Sequence, residues 1–226
     1  MITDTGYNKF CIWEHSKSIK DLYARRCRKE VEEMISHRQA VGLIKPFCQE
    51  GNRVLDVGCG SGYLYHSFKN QHLDIEYLGI DAASSLINIG RGIMPQFGLP
   101  ADSLQVMRIE DMDGEFDHVL SINVLSNIDN YYRPLERMLK MARKTVVLRE
   151  SLSDHSQYLY VKDKYLDEGV DLKVHVNTYD TKEVIKFINS YGFQAEDIID
   201  EYTGGKPENV IDYPHYWKFI LARKSM

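Results

Sequence analysis

Between Leu55 and Leu64 the chain reads LDVGCGSGYL, with glycines at 58, 60 and 62 and an aspartate, Asp56, two residues ahead of the first. Glycines at alternate positions allow the backbone conformations and close approach that a small ligand needs. Asp56 restricts the choice of ligand. A carboxylate at the entrance to the turn repels a pyrophosphate and favours a cationic ammonium group through charge-assisted hydrogen bonds. The GxGxG spacing also departs from the dinucleotide fingerprint GxGxxG, since position 63 is tyrosine, and no Gly-Lys-Ser/Thr follows to cradle a phosphate. Nineteen residues past Gly62, Asp81 closes the run EYLGID, where a carboxylate can accept both hydroxyls of a ribose. Taken alone, Asp81 reads as well as a cap for a helix starting near Ser84.

These residues meet only if the chain between them alternates strand and helix. Strand patterns run over Arg53–Val57, Ile75–Ile80, Leu104–Ile109, Phe116–Ile122 and Thr145–Leu148, separated by helical patterns over Tyr63–Asn70, Ser84–Phe97 and Pro134–Ala142. Asp180 with Glu183 opens a further helix that Gly192 stops; Gln194–Tyr202 and His215–Ala222 then read as strands joined by the loop TGGKPENVIDYP. Such alternation predicts an α/β fold with a doubly wound, mostly parallel, seven-stranded Rossmann-like sheet and an antiparallel C-terminal strand. Apolar positions from Ser18 to Leu43 add one or two helices as an N-terminal cap over residues 1–45, and residues 151–179 form a lid-like insertion whose secondary structure the pattern leaves open. The whole of 1–226 reads as one domain. In such a sheet, ligands bind beyond the carboxyl ends of the strands. A ligand with an amino-acid end, a ribose and a base suits both Asp56 and Asp81, and S-adenosyl-L-methionine has that shape.

VLDVGCGSG, YLGID and EFDHVLSINVL together resemble the class I S-adenosylmethionine-dependent methyltransferases, over roughly Arg53 to Arg149. The resemblance implies that Gly58, Gly60 and Gly62 line the methionine end with Asp56 near the ammonium. It implies that Asp81 takes the ribose diol, that Ala82 lies beside the adenine, and that Ile109, Glu110 and Asp111 meet the adenine edge, with the choice between the two acids open. Asn123 falls where a backbone carbonyl approaches the methionine or the sulfonium. Cys59 lies in the same turn and is grouped with these cofactor-facing residues, its thiol read as a small buried side chain.

Methyl transfer from a sulfonium is an in-line displacement that depends chiefly on alignment, so catalytic residues can be few. A hydroxyl acceptor needs a base, and His155 and His175 are the candidates because both fall in or beside the insertion. Tyr23, Tyr158 and Tyr160 are candidate contacts for a polar small-molecule acceptor such as a sugar; packing the lid onto the sheet is the alternative role for these tyrosines. The net charge of −5 argues against nucleic acid as a partner, and INVLSN after the fourth strand lacks the Pro-Pro-aromatic run of enzymes that methylate planar amines. The basic cluster Arg25–Lys29 is expected to pair with the following glutamates at i,i+4 on a helix, as Arg26/Glu30, Arg28/Glu32 and Lys29/Glu33. Four cysteines without metal-ligand spacing predict no metal and reduced thiols. MITDTGYNKF lacks a targeting pattern and no apolar run suits a membrane span, so the expectation is a soluble cytoplasmic protein, compatible with a homo-oligomer. Two other functions share these features: a non-catalytic donor-binding subunit and a nicotinamide-dependent oxidoreductase.

Overall fold

The computed structural model describes residue 9 and residues 11–225, so the MITDTGYNKF segment lies almost wholly outside the described residues. Two helices come first, α1 (Lys17–Cys27) and α2 (Ile35–Ile44). The sheet then begins with β1 (Asn52–Val57), followed by α3 (Tyr65–Asn70), β2 (Ile75–Asp81), α4 (Ser84–Ile93), β3 (Leu104–Val106), β4 (Phe116–Ile122), α5 (Tyr132–Met141) and β5 (Ala142–Ser153). The insertion holds β6 (Tyr160–Lys162) and β7 (Lys173–His175) as an antiparallel hairpin. After β8 (Tyr179–Asp180) come α6 (Thr181–Asn189), β9 (Phe193–Ile199), the hairpin of β10 (Glu208–Val210) and β11 (Tyr213–His215), and β12 (Trp217–Lys224).

The strand order is β3-β2-β1-β4-β5-β12-β9, with the short β8 beside β5 as an eighth strand. β1 pairs in parallel with both β2 and β4, and β12 runs antiparallel to β5 and β9. The order reverses between β1 and β4, which opens a crevice at the carboxyl ends of these strands. Successive strand residues point to opposite faces and so build two cores. Val54, Leu120, Val147 and Phe219 pack under α2, α3 and α4; Leu55, Val119, Val146 and Ile220 pack under α5 and α6. At the start of α6 the Asp180 side chain accepts from the amides of Lys182 and Glu183, as the helix-opening signal predicts.

Several boundaries differ from the sequence pattern. The third strand stops at Val106, and Ile109–Asp111 is a single 3₁₀ turn. The fifth runs to Ser153 through Arg149 and Glu150, which are almost fully buried although charged. α1 ends at Cys27 and Lys29 takes a left-handed φ of 58°, so the expected i,i+4 pairs do not form. Instead Arg28 pairs with Glu30 at 2.7 Å, and Arg26 donates to the Tyr63 hydroxyl at 2.9 Å. The TGGKPENVIDYP loop contains the β10–β11 hairpin, whose turn residues Ile211 and Asp212 have φ of 53° and 66°, the two positive values of a tight hairpin turn. No helix among the described residues is long and apolar enough to cross a membrane.

Candidate functional site

A cavity of about 740 Å³ occupies the crevice, walled by the ends of β1, β2 and β4, by α1, and by both hairpins. The glycine turn forms its floor, and its three glycines serve different purposes. All have positive φ, of 71°, 57° and 76°. Gly58 lines the cavity, and a Cβ there would stand 2.2 Å from Val124. A Cβ at Gly60 would meet the Tyr23 ring at 2.2 Å, and one at Gly62 would meet Leu104 at 2.5 Å. Gly60 thus admits α1 onto the turn and Gly62 seats the turn on β3, while Gly58 and Cys59 of the same turn line the cavity. The Cys59 thiol is buried and contacts the Gly60 carbonyl at 3.7 Å; burial pushes its pKa up, so it is an inert packing group on the wall.

Both acids reach the cavity. Asp56, buried, accepts from the Tyr77 hydroxyl, and burial pushes its pKa up to about 7. Asp81 accepts from the Gly60 amide at 2.8 Å and the Ala83 amide at 2.7 Å. Its two expected roles are therefore compatible: the carboxylate steadies both the turn and the approach to α4 while still lining the cavity. Burial raises its pKa against the pull of those two amides. Neither carboxyl has a cationic partner among the described residues, so a positively charged ligand would favour the ionised form that burial disfavours. Ala82, Ile109 and Glu110 extend the wall from β2 and the 3₁₀ turn. Asp111 does not line the cavity; it pairs with Arg108 at 3.2 Å, which leaves Glu110 as the acid of that turn facing the ligand space.

At the end of β4, Asn123 has a left-handed φ of 60° and lines the cavity. Its amide donates to the Arg149 carbonyl at 2.8 Å, its own carbonyl accepts from Asn127 at 2.8 Å, and its side-chain oxygen accepts from Arg149 at 2.7 Å. Arg149 in turn is ion-paired with Asp200 at 2.8 Å, both buried. Next to it, Glu150 accepts from the amides of Val124, Leu125 and Ser126 at 3.1, 2.9 and 2.8 Å and from the Ser126 hydroxyl. Burial pushes the Glu150 pKa up to about 7 while these four donors favour its charged form. The loop after β4 is thus moulded on one buried carboxylate that no hydropathy pattern marks.

Of the acceptor-side candidates, Tyr23, Tyr160 and His175 line the cavity, the last two with ring centres 4.6 Å apart. His155 and Tyr158 do not. The link before β6 carries them outward: His155 is mostly exposed and bonded to Asp154 at 2.7 Å, and exposed Tyr158 meets Tyr179 edge-on at 5.9 Å. The wall holds residues not anticipated from the sequence, namely His37 on α2, Tyr63, and Glu208, His215 and Trp217 of the C-terminal hairpin region. Burial drives the His37 pKa down to about 3. The aromatic run YPHYW was the available signal for the last group, legible as a strand but not as a cavity wall.

The methyltransferase domain family matches residues 55–148. A sphingolipid C9-methyltransferase B of Emericella nidulans is 23% identical over 182 residues, covering 74% of this chain and 34% of that protein. A ubiquinone biosynthesis O-methyltransferase of Rhodopseudomonas palustris is 30% identical over 103 residues, covering 45% of this chain and 40% of its own length. The chain therefore matches only about a third to two-fifths of these relatives. Among solved structures, magnesium protoporphyrin IX methyltransferase from Synechocystis, crystallised with S-adenosylmethionine, superimposes with a TM-score of 0.59 over 94% of each chain at 13% identity. At that identity the likeness is one of fold.

Proposed function

We propose that this chain, whose residues 55–148 match the methyltransferase domain family and whose fold is that of the class I S-adenosylmethionine-dependent methyltransferases, moves a methyl group from S-adenosylmethionine to a hydroxyl of a polar small molecule. The observation that carries this reading is the pair of carboxylates without a cationic partner among the described residues, Asp56 buried and Asp81 half-buried, on the floor of a cavity at the sheet's switch point. The residues fit the donor. Asp56 would hold its ammonium group, Asp81 its ribose hydroxyls, and Ala82, Ile109 and Glu110 its base. Bound there, the donor supplies an activated methyl group.

The chain's own contribution is alignment. Asn123 is fixed through three hydrogen bonds, and the loop after it through Glu150, so this end of the cavity is preorganised. Tyr23 packs on the turn from the α1 side, and residues of the two hairpins line the cavity. Orientation of this kind can supply effective molarities of about 10⁵ to 10⁸ M.

Calorimetric titration with S-adenosylmethionine, S-adenosylhomocysteine and NAD tests the donor. Binding of the first two without the third is expected, and tight NAD binding alone would overturn the reading in favour of an oxidoreductase. Labelled donor methyl supplied with a metabolite extract then separates a transferase, which labels a product, from a donor-binding subunit, which does not.

A further inference from the structure

β12 runs antiparallel to β5, with Trp217 opposite Ser151, so the chain just before it stands at the carboxyl ends of the parallel strands. His215 occupies that position, only 2% exposed and on the cavity wall. Its ring is stacked on Trp217 with centres 4.7 Å apart and planes 28° from parallel. The Arg149 guanidinium lies 4.6 Å over the Trp217 ring and bonds to the Asn123 side chain. A continuous pile of Asn123, Arg149, Trp217 and His215 thus ties this imidazole to the end of β4.

The two ring nitrogens of His215 are not equivalent. Nδ1 lies 3.2 Å from the Tyr213 carbonyl, an acceptor only, so Nδ1 carries the proton and donates it. Nε2 has no protein partner among the described residues and is not one of the sealed, unsatisfied polar atoms; it is left as a free lone pair on the cavity wall. A neutral imidazole with its tautomer fixed by a backbone carbonyl is the arrangement a general base needs.

We propose that His215 is the proton acceptor of the reaction, receiving the acceptor's hydroxyl proton on Nε2, and that the acceptor is accordingly a hydroxyl compound. The assignment rests on the methyltransferase reading. As the carbon–oxygen bond forms, the carbon–sulfur bond breaks, sulfur keeps the electron pair and becomes neutral, and the hydroxyl proton passes to Nε2, giving an imidazolium. Glu208, opposite His215 in the β10–β11 ladder and fixed by the Trp217 indole N–H at 2.7 Å, favours that imidazolium. Burial first, and Arg149 to a lesser degree, hold the resting ring neutral. The other histidines on the wall lack this arrangement. His175 packs on Tyr160 with no hydrogen bond among the described residues to set its tautomer, and His37, with its pKa near about 3, is too weak a base at neutral pH.

The test uses labelled S-adenosylmethionine with a metabolite extract and three proteins: wild type, His215→Gln and His155→Gln. Label transfer at neutral pH should fall about 100-fold or more in His215→Gln, while S-adenosylhomocysteine affinity stays within about threefold and His155→Gln behaves as wild type. The acidic limb of the wild-type pH–rate profile should vanish in His215→Gln. Independently of turnover, ¹⁵N-histidine NMR of the wild type should show neutral His215 protonated at Nδ1. Protonation at Nε2 instead, or transfer by His215→Gln within about threefold of wild type, overturns the assignment. A wild-type protein that binds S-adenosylhomocysteine yet labels nothing defeats the transferase reading itself, and the base falls with it.

Discussion

On the floor of the cavity every functional group hangs from the carboxyl end of a parallel strand: Asp56 from β1, Asp81 from β2, Asn123 from β4. On the opposite wall Tyr23 comes from a helix, Tyr160 and His175 from one hairpin, and His215 from another, all outside the main sheet. The floor inherits its positions from paired strands buried on both faces, so its geometry follows from the fold. The wall rests on a separate apolar cluster centred on Ile12, Val174, Val176 and Ile211, and its geometry is set by local turns.

Arg149 is where the two regions join, and removing it gives the largest expected effect. Its guanidinium bonds Asn123 on one side, covers Trp217 on another, and neutralises Asp200. Arg149→Met keeps the volume but leaves the Asp200 carboxylate buried without its partner, which typically costs about 3–5 kcal/mol. Denaturant unfolding should show a loss of this size. The matching change at an exposed pair, Lys162→Met beside Asp171, should cost under about 1 kcal/mol. Similar losses at the two sites would mean that the join is no stronger than the surface.

The difference between floor and wall also explains what could be read beforehand. The glycine turn, Asp56 and Asp81 were legible because their signal is local: residue types at short, fixed spacing on a strand that ends in a turn. The strand alternation pointed to the doubly wound, mostly parallel sheet for the same reason, while the order of its strands came from the structure. Arg149 and Glu150 were not legible, since a charge after an apolar run reads as the end of a strand, and Asp200 fell inside the expected strand Gln194–Tyr202 with nothing to mark its partner. Here the strand continues because Arg149 finds Asp200, 51 residues away, and Glu150 finds the amides of residues 124–126. By position His155 lies in the insertion, whereas His215 reads in the sequence as the first residue of the last strand. What distinguishes it, a carbonyl two residues back and a stacked indole two residues on, is a matter of backbone conformation. The glutamates expected to pair along α1 failed similarly, because Lys29 turns the chain left-handed after Cys27.

A smaller effect is expected at Asp81, and it isolates the floor. Asp81→Asn keeps a side-chain oxygen for the Gly60 or Ala83 amide, so the turn and α4 should survive where an alanine would strip both. Loss of the charge-assisted ribose bonds should weaken S-adenosylhomocysteine binding by about 1.5–3 kcal/mol. Stability measured without ligand should move far less. Unchanged affinity would reduce Asp81 to a structural cap and leave Asp56 to define the floor alone.

The least effect, and the most specific to the floor, is the pH dependence that Asp56 confers. Its pKa is raised, from an ordinary value of 3.8 to about 7, because burial disfavours the charged form. Without ligand, a raised carboxyl pKa stabilises the fold fully below the unfolded value, and that contribution is lost as pH rises through about 7. A ligand ammonium reverses the preference, because it binds the ionised carboxylate. Affinity for S-adenosylhomocysteine should therefore be nearly flat above about pH 8 and weaken below about pH 7, by at most about 1.4 kcal/mol per unit for one proton. Asp56→Asn, which can still accept from Tyr77, should bind more weakly at high pH and lose this slope. Calorimetry from about pH 6 to about pH 8 distinguishes the cases. A slope that persists in Asp56→Asn would transfer the ammonium to another carboxylate, with Asp81 the first to examine because it is the other acid at a strand end on the same floor with a raised pKa.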